Sequence, residues 1–330
     1  MFFSLFPVFS ILTSTLILGT ILRISANRVF IIWIGLEINL ISFLPLILLN
    51  QHLYSSISAI KYFLTQSTAS IIILLSFLAP SVSNFRVALI LLAIIIKAGI
   101  PPYHFWFPSV IQSINWYSCL ILSTWQKTAP LIIIFLIFTK SNLFLGLILV
   151  ALFISSIGGF SQTKLRPLLA YSSMGHISWI LRVNIFSSAP AFIYLGFYLL
   201  LTRAIILLFQ ITSVSSIHNF FKLNLNIKIL IIISVLFFSL RGLPPFVGFF
   251  IKWIVLESVI KENFFLAIFL IISSIINLSY YLNLIFCMLF FRTSFASKKH
   301  TPIFIPFLAV LTTLSTPNIF IYAMVILHKS

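Results

Sequence analysis

The chain alternates between apolar runs of about 20 residues and short polar connections. A helix gains about 1.5 Å per residue, so such a run crosses a hydrocarbon core about 30 Å thick. We therefore predict transmembrane helices near residues 3–22, 29–49, 57–79, 86–112, 115–139, 143–160, 165–186, 188–211, 227–260, 262–290 and 302–327. Short alternating segments typical of a membrane β-barrel do not recur. The expected fold is an all-α polytopic membrane protein with about 11 spans.

Two of the predicted spans are longer than a bilayer requires, and each contains a pair of prolines. The fourth carries Gly-Ile-Pro-Pro-Tyr at Gly99–Tyr103, and the ninth carries Gly-Leu-Pro-Pro-Phe at Gly242–Phe246. Adjacent prolines remove two backbone donors and disfavour helix at the residue before them, so both helices should open. Lipid cannot satisfy the freed carbonyls, so both breaks should face the interior of the bundle.

The positions of the two breaks predict an internal repeat. Five spans precede residue 140 and five follow it, and the break lies in the fourth span of each set. An odd number of spans reverses orientation, so the second set would be inverted, as in many ion transporters. We predict a first five-helix repeat at residues 1–140, a second, inverted repeat at residues 141–291 and a C-terminal transmembrane helix in residues 292–330. Two unrelated proline kinks are the alternative.

Composition supports the membrane assignment and excludes several functions. Only 7% of the residues are charged, against about 25% in soluble domains, so the chain must be solvated by lipid. The 20 Lys and Arg residues outnumber three acids, but they are scattered singly. Anionic lipid is therefore a better partner than nucleic acid. Cys119 and Cys287 are isolated and no nucleotide-binding glycine motif occurs, so we expect no metal or redox cofactor in this chain.

A few ionisable residues lie at depths where charge is expensive. Lys97 and Lys127 are roughly 16 and 18 Å into their spans, and Glu37 and Lys252 are roughly 12 Å from a helix end. His176 is similarly deep. A charge at the bilayer centre costs about 2.5–3.5 kcal/mol on insertion scales, so these groups should meet one another or water. A snorkelling lysine or a hydrogen-bonded packing histidine is the structural alternative.

These residue types suit proton transfer. Burial disfavours the charged form of lysine and glutamate, an opposite charge nearby favours it, and histidine exchanges protons near neutral pH. A chain of such groups can therefore change its hold on protons when one charge moves by a few ångströms. Arginine does not release its proton in proteins. Arg203 and Arg241 are expected to hold carbonyls, lipid phosphates or glutamate, and Arg182 has no assigned role.

Six short motifs occur in an order that indicates one family. They are Trp33–Asn39, Lys61–Gln66, Lys97–Pro108, Thr124–Pro130, Leu165–Ser173 with His176, and Gly242–Trp253. Each is weak alone, but together they extend from about residue 20 to 285 and are highly specific. The chain resembles subunit 2 of NADH dehydrogenase (ubiquinone), an antiporter-like subunit of the membrane arm of respiratory complex I.

The resemblance implies a function and a setting. It implies a core subunit of proton-pumping NADH:ubiquinone oxidoreductase in the mitochondrial inner membrane, in the short animal form with two inverted repeats and a final helix. The chain would bind no cofactor itself, with FMN and iron–sulfur clusters in other subunits. Subunits 4 and 4L, accessory subunits and an anionic phospholipid such as cardiolipin are the expected partners. Lys and Arg divide almost evenly between the two sides, so only the resemblance places the N-terminus in the matrix.

The family pattern also implies a role for each candidate residue. Glu37 and Lys97 would form the ion pair of the first repeat, Lys127 would be the central relay, Lys252 would lie on the exit side and His176 would bridge towards it. The sequence departs from the family pattern at two arginines. Arg241 replaces a small residue next to the second break, and Arg182 ends a span that is usually uncharged. Two other functions remain open, namely a stand-alone cation/proton antiporter of the same fold and a structural spacer.

Overall fold

The computed structural model describes most of the first 290 residues. The described residues are 2–26, 29–49, 53–78, 84–137, 142–185, 188–217, 219, 227–244 and 246–290. Within them the helices are α1 Phe2–Ile24, α2 Val29–Leu48, α3 Leu53–Leu78, α4 Asn84–Ala98, α5 Trp106–Ser113, α6 Trp116–Leu120, a π-helix Ile121–Trp125, α7 Gln126–Ile137, α8 Asn142–Phe160, α9 Leu165–Asn184, α10 Ser188–Thr212, α11 Ile227–Arg241, α12 Val247–Ile260 and α13 Phe264–Phe290.

These helices occupy the first ten predicted spans. The predicted C-terminal helix in residues 292–330 lies outside the described residues. Within the described part, five helical stretches are long and apolar enough to cross a bilayer by themselves: Phe30–Leu48, Tyr54–Leu78, Trp116–Leu136, Ser188–Thr212 and Phe264–Cys287. The prediction of an all-α membrane protein is confirmed, and the number of eleven spans stays a prediction.

The chain separates into two compact units, Met1–Leu147 and Ile148–Ser330. In the first unit, α1 packs on α2, α2 on α3, α3 on α4 and α5, and α7 on α4. In the second unit, α9 packs on α10 and α12, and α11 packs on α10, α12 and α13. The predicted domain boundaries at residues 140 and 291 stay a prediction.

The first break closes α4 with a hydrogen-bonded glycine turn. Gly99 has a φ of +68°, which is accessible to glycine at little cost because it has no Cβ. The Gly99 N–H donates to the Ile96 carbonyl (3.1 Å) and the Ile100 N–H donates to the Ile95 carbonyl (3.1 Å), the Schellman pattern of a helix C-terminus. Trp106 Nε1 also donates to the Ile96 carbonyl (3.1 Å). Protein donors therefore satisfy carbonyls that lipid could not.

The second break repeats this turn. Gly242 has a φ of +74°, and its N–H donates to the Ser239 carbonyl (3.2 Å) while the Leu243 N–H donates to the Phe238 carbonyl (3.2 Å). The start of α12 then packs against the end of α11 at backbone contact, since a Cβ at Gly248 would lie 1.7 Å from the Ser239 carbonyl oxygen. Glycine is required there by space alone.

The prediction that both proline pairs interrupt a helix is confirmed. Residues 99–105 separate α4 from α5, and among the described residues of the second break, 242–244 and 246 separate α11 from α12. The two breaks share the left-handed glycine and the hydrogen-bond pattern, in addition to the sequence. The inverted orientation of the two sets of helices stays a prediction.

Candidate functional site

Lys97 and Lys127 line the same small cavity in the first unit. Lys97 lies in the last turn of α4, directly before the first break, and Lys127 lies in the first turn of α7. The cavity also has polar groups from Arg23, Asn39, Tyr62, Gln66 and Gln126. About 20 Å³ of its volume is available to water, and about 10–15 Å³ is enough for one molecule. The cavity that both lysines line is therefore large enough for one water molecule.

The surroundings of Lys97 contain charges of both signs. Lys97 is buried, while Glu37 on α2 is half-buried. Glu37 attracts the Lys97 ammonium electrostatically and Arg23 repels it. The Lys97 carbonyl accepts a long hydrogen bond from Gln66 Nε2 (3.5 Å). The proton affinity of Lys97 is therefore set by opposing fields as well as by burial.

The predicted Glu37–Lys97 ion pair is not present as a direct contact. An ion pair is present elsewhere, between the exposed side chains of Lys261 and Glu257 (3.6 Å). The half-buried Glu37 carboxylate acts on the buried Lys97 ammonium through space. A pair bridged by one water, the other form of the prediction, stays a prediction.

Lys127 is held over an aromatic ring. Its Nζ lies 3.8 Å from the centre of the Phe107 ring, and a cation over an aromatic face is stabilised by up to about 2 kcal/mol when desolvated. Phe107 is fully buried on α5. A Cβ at Gly99 would lie 3.0 Å from Phe107 Cβ. The first break therefore packs directly against the ring that holds Lys127.

The backbone before Lys127 is irregular. The fifth predicted span contains the π-helix Ile121–Trp125, which sequence patterns do not reveal. π-Helical turns are rare and are frequent at functional sites. Pro130 lacks the N–H that would donate to the Gln126 carbonyl, and Gln126 Nε2 is buried without a hydrogen-bond partner within the described structure. The Gln126 side-chain amide lines the cavity and is available to a water there.

Arg23 is a buried charge that sequence analysis missed. Its position near the end of the first span indicates a loop or interfacial residue, but only 3% of it is exposed. Its side chain crosses α2 at Gly35, where a Cβ would lie 2.6 Å from Arg23 Cγ. With the Asn39 amide oriented to satisfy both neighbours, Arg23 Nη2 donates to its oxygen (2.5 Å) and its nitrogen donates to the Leu16 carbonyl (3.1 Å). No sequence pattern indicated this burial, because the glycine that makes room for Arg23 lies on the next helix.

His176 lines a second small cavity, in the second unit. Its Nδ1 is 3.1 Å from the Tyr194 hydroxyl, and its ring centre is 5.5 Å from that of Tyr198. The cavity has about 20 Å³ available to water and is also lined by Leu240 and Gly248, on either side of the second break. His176 is therefore hydrogen-bonded beside the second break, and its role as a proton carrier stays a prediction.

Lys252 reaches back across the second break. Its Nζ donates to the Arg241 carbonyl (2.6 Å) and lies 5.4 Å from the centre of the Trp179 ring. Arg241 is itself buried, with Nη2 donating to the Tyr280 hydroxyl (2.5 Å) and the guanidinium carbon 3.8 Å from the centre of the Tyr281 ring. Lys252 is buried and hydrogen-bonded, so snorkelling does not explain its position.

The structure thus places Lys97 and Lys127 on one cavity of the first unit, whereas His176 and Lys252 make separate contacts in the second unit. Two further arginines differ in setting: Arg182 is buried and interacts electrostatically with Glu262, whereas Arg203 is exposed on α10. In the part of the chain that the structure describes, no three His, Cys, Asp or Glu side chains come together in a way that could hold a metal. That the chain binds no cofactor stays a prediction.

The sequence matches a family described as NADH:quinone oxidoreductase/Mrp antiporter, TM, over residues 26–82 and 78–277. It is 40% identical to NADH-ubiquinone oxidoreductase chain 2 of Anopheles gambiae, covering 82% of each chain. It is 34% identical to the chain of that name from Rhynchonycteris naso, covering 94% of this chain and 96% of the relative. The corresponding mouse chain is 32% identical, with 88% and 90% covered.

The fold is similar to that of chains in three membrane complexes. Respiratory complex I of Thermus thermophilus matches with a TM-score of 0.81 at 21% identity, covering 94% of this chain and 77% of that chain. An archaeal membrane-bound sulfane sulfur reductase matches at 0.83 and 18% identity, covering 96% and 73%. The Mrp complex of Dietzia matches at 0.77 and 17% identity, covering 88% and 62%. The antiporter-like fold is therefore shared between respiratory and antiporter complexes.

Proposed function

Since this chain belongs to the NADH-ubiquinone oxidoreductase chain 2 family, we infer that it is a membrane subunit of proton-pumping NADH:ubiquinone oxidoreductase. It contributes to the enzyme's activity as a translocating subunit, and NADH oxidation and quinone reduction take place on other chains. The complex lies in the mitochondrial inner membrane.

We propose that the chain moves protons through Glu37, Lys97, Lys127, His176 and Lys252. The observation that carries this proposal is the cavity shared by Lys97 and Lys127. A water in that cavity can accept a proton from one lysine and donate to the other. Glu37 and Arg23 act on Lys97 with opposite sign, so a small movement of either charge changes which lysine holds the proton.

In the second unit, His176 and Lys252 are the proposed proton carriers. His176 lines the cavity against the second break, and Lys252 bonds to the carbonyl at the end of α11. Neutral imidazole can accept a proton at one nitrogen and release it at the other. The step from Lys127 towards His176 and the exit near Lys252 are proposed from the family pattern.

The finer architecture and the partners are also proposals. The matching turns at Gly99 and Gly242 support two inverted five-helix repeats, followed by a final helix. Subunits 4 and 4L, accessory subunits and cardiolipin are the proposed neighbours. The chain's excess of 20 Lys and Arg over three acids favours anionic lipid at its surface.

A stand-alone cation/proton antiporter is the second candidate, because the fold is similar to that of a chain in the Mrp complex. The high coverage and identity to NADH-ubiquinone oxidoreductase chain 2 favour the respiratory subunit. Purification separates the two: the respiratory subunit should co-purify with NADH:ubiquinone reductase activity. Cation/proton exchange by the chain free of that reductase would support the antiporter.

Replacing Lys97 tests the role of the shared cavity. Lys97→Met keeps the length of the side chain and removes the proton. In the assembled complex it should slow NADH:ubiquinone turnover by tenfold or more, a fall that corresponds to about 1.4 kcal/mol. Lys261→Met is the matched control, since Lys261 is exposed on the turn after α12. Equal turnover in both variants would indicate a structural spacer.

A further inference from the structure

Arg241 is a buried permanent cation beside a proposed proton carrier. We propose that Arg241 is a positioning residue for Lys252: its carbonyl holds the lysine nitrogen in place, while its guanidinium repels the lysine's positive charge and thereby promotes proton release. This role rests on the proposed function, in which Lys252 passes protons. The second unit would then contain a proton carrier, Lys252, and a fixed positive charge, Arg241, that opposes the protonation of this lysine.

The guanidinium of Arg241 is held by a hydrogen bond and a ring contact from α13. Its Nη2 donates to the Tyr280 hydroxyl (2.5 Å), which in turn donates to Asn277 Oδ1 (3.1 Å). Its carbon lies 3.8 Å from the centre of the Tyr281 ring, so the planar group has an aromatic face against it as well as a hydrogen bond. Only 4% of the residue is exposed. The anchor comes entirely from α13.

The lysine is fixed against the same residue by short backbone contacts. Lys252 Nζ is 2.6 Å from the Arg241 carbonyl oxygen, at the C-terminal end of α11, where the helix dipole favours a cation. A Cβ at Gly242 would lie 3.0 Å from Lys252 Cδ, so the lysine stem runs directly over the turn. The ammonium is therefore held against Arg241, whose positive charge acts on it.

No carboxylate offsets these two cations within the described structure. The acids of the second unit are Glu257 and Glu262. Glu257 is exposed and paired with Lys261, and Glu262 acts on Arg182. Arginine keeps its charge in proteins, so a buried pair of like charges lowers its energy by releasing the lysine proton. The carbonyl keeps Lys252 in place in either protonation state.

Several other polar and aromatic groups lie on the helices that pack against α12. α9 contributes His176 and Trp179, α10 contributes Tyr194 and Tyr198, and α13 contributes Tyr280 and Tyr281. Histidine is the residue type among these that ordinarily exchanges protons near neutral pH. A test must therefore separate the effect on Lys252 from an effect on His176.

The test is the pH dependence of coupled NADH:ubiquinone turnover by the assembled complex in sealed membrane vesicles. Arg241→Gln keeps a donor for Tyr280 and removes the charge. It should lower the maximal turnover. It should also shift the alkaline fall of the pH profile of turnover, its alkaline limb, to a pH that is higher by about one unit or more, because Lys252 then holds its proton more tightly. Arg241→Lys, which keeps a cation, should leave the limb near its wild-type position.

Lys252→Met distinguishes the possible failures. It should remove the limb, and adding Arg241→Gln to it should produce no further shift. An unshifted limb in Arg241→Gln, or a shift that persists without Lys252, would overturn the role of Arg241. Normal turnover in Lys252→Met would instead contradict the proposed relay itself. If Arg241→Gln fails to assemble, Tyr280→Phe loosens the same guanidinium, and an unshifted limb there would also overturn the role.

Discussion

The Lys127 side-chain nitrogen lies 3.8 Å from the centre of the Phe107 ring. This contact joins the first helix break to the proposed central proton carrier, because Phe107 also packs against Gly99. The ring stabilises the charged form of the lysine without supplying a counter-ion. In the proposed relay, Lys127 holds its proton over this ring and releases it to water in the shared cavity.

Phe107→Leu should impair the relay while leaving Lys127 present. Losing the cation–π contact, worth up to about 2 kcal/mol in a desolvated site, makes the protonated lysine harder to form. We expect coupled turnover to fall several-fold in a complex that still assembles. Phe105→Leu is the matched control, because Phe105 is 76% exposed two positions earlier. Equal turnover in the two variants would show that the ring has no role in proton transfer.

Glycine-to-alanine substitutions test the two breaks. Gly99→Ala and Gly242→Ala place a Cβ on a left-handed backbone, which costs roughly 1–2 kcal/mol before any contact is counted. Both should lower the thermal stability and the yield of the assembled complex. Gly146→Ala and Gly196→Ala are the controls, since a Cβ there meets nothing within 4 Å. Stability losses of equal size in all four variants would contradict the special role of the breaks.

The opposing charges around Lys97 predict a specific pattern of double mutants. Glu37→Gln removes the attractive field and should slow turnover, because the protonated form of Lys97 becomes less favourable. Adding Arg23→Gln removes the repulsive field and should restore part of the lost rate. Glu257→Gln, at an exposed carboxylate, should have no effect. If the double variant instead loses as much turnover as the two single variants combined, Glu37 and Arg23 do not act in opposition on Lys97.

Local sequence was sufficient to predict the two breaks. The Gly-X-Pro-Pro pattern contains both the left-handed glycine and the missing donors, so the turn follows from the residues at the turn. The burial of Lys97, Lys127 and Lys252 was predicted from their depth in apolar spans, and the structure confirms it.

Features that depend on distant residues could not be predicted. Arg23 is buried because Gly35 and Asn39, on the next helix, make room and a hydrogen bond for it. The setting of Arg241 comes from Tyr280, far along the chain on α13. Glu37 and Lys97 were predicted to lie within salt-bridge or one-water distance, and only the direct form is absent, because depth along a helix does not fix the direction of a side chain.

The central claim is that Lys127 loads and releases a proton during turnover. The most direct measurement is the number of protons pumped per NADH, together with the turnover rate, by the assembled complex carrying Lys127→Met or Lys127→Arg in sealed vesicles. Met removes the proton and Arg retains a charge that is not released, so both variants should assemble normally and lose tenfold or more of coupled turnover. Full turnover and an unchanged proton ratio in Lys127→Met would make Lys127 a packing residue and contradict the relay.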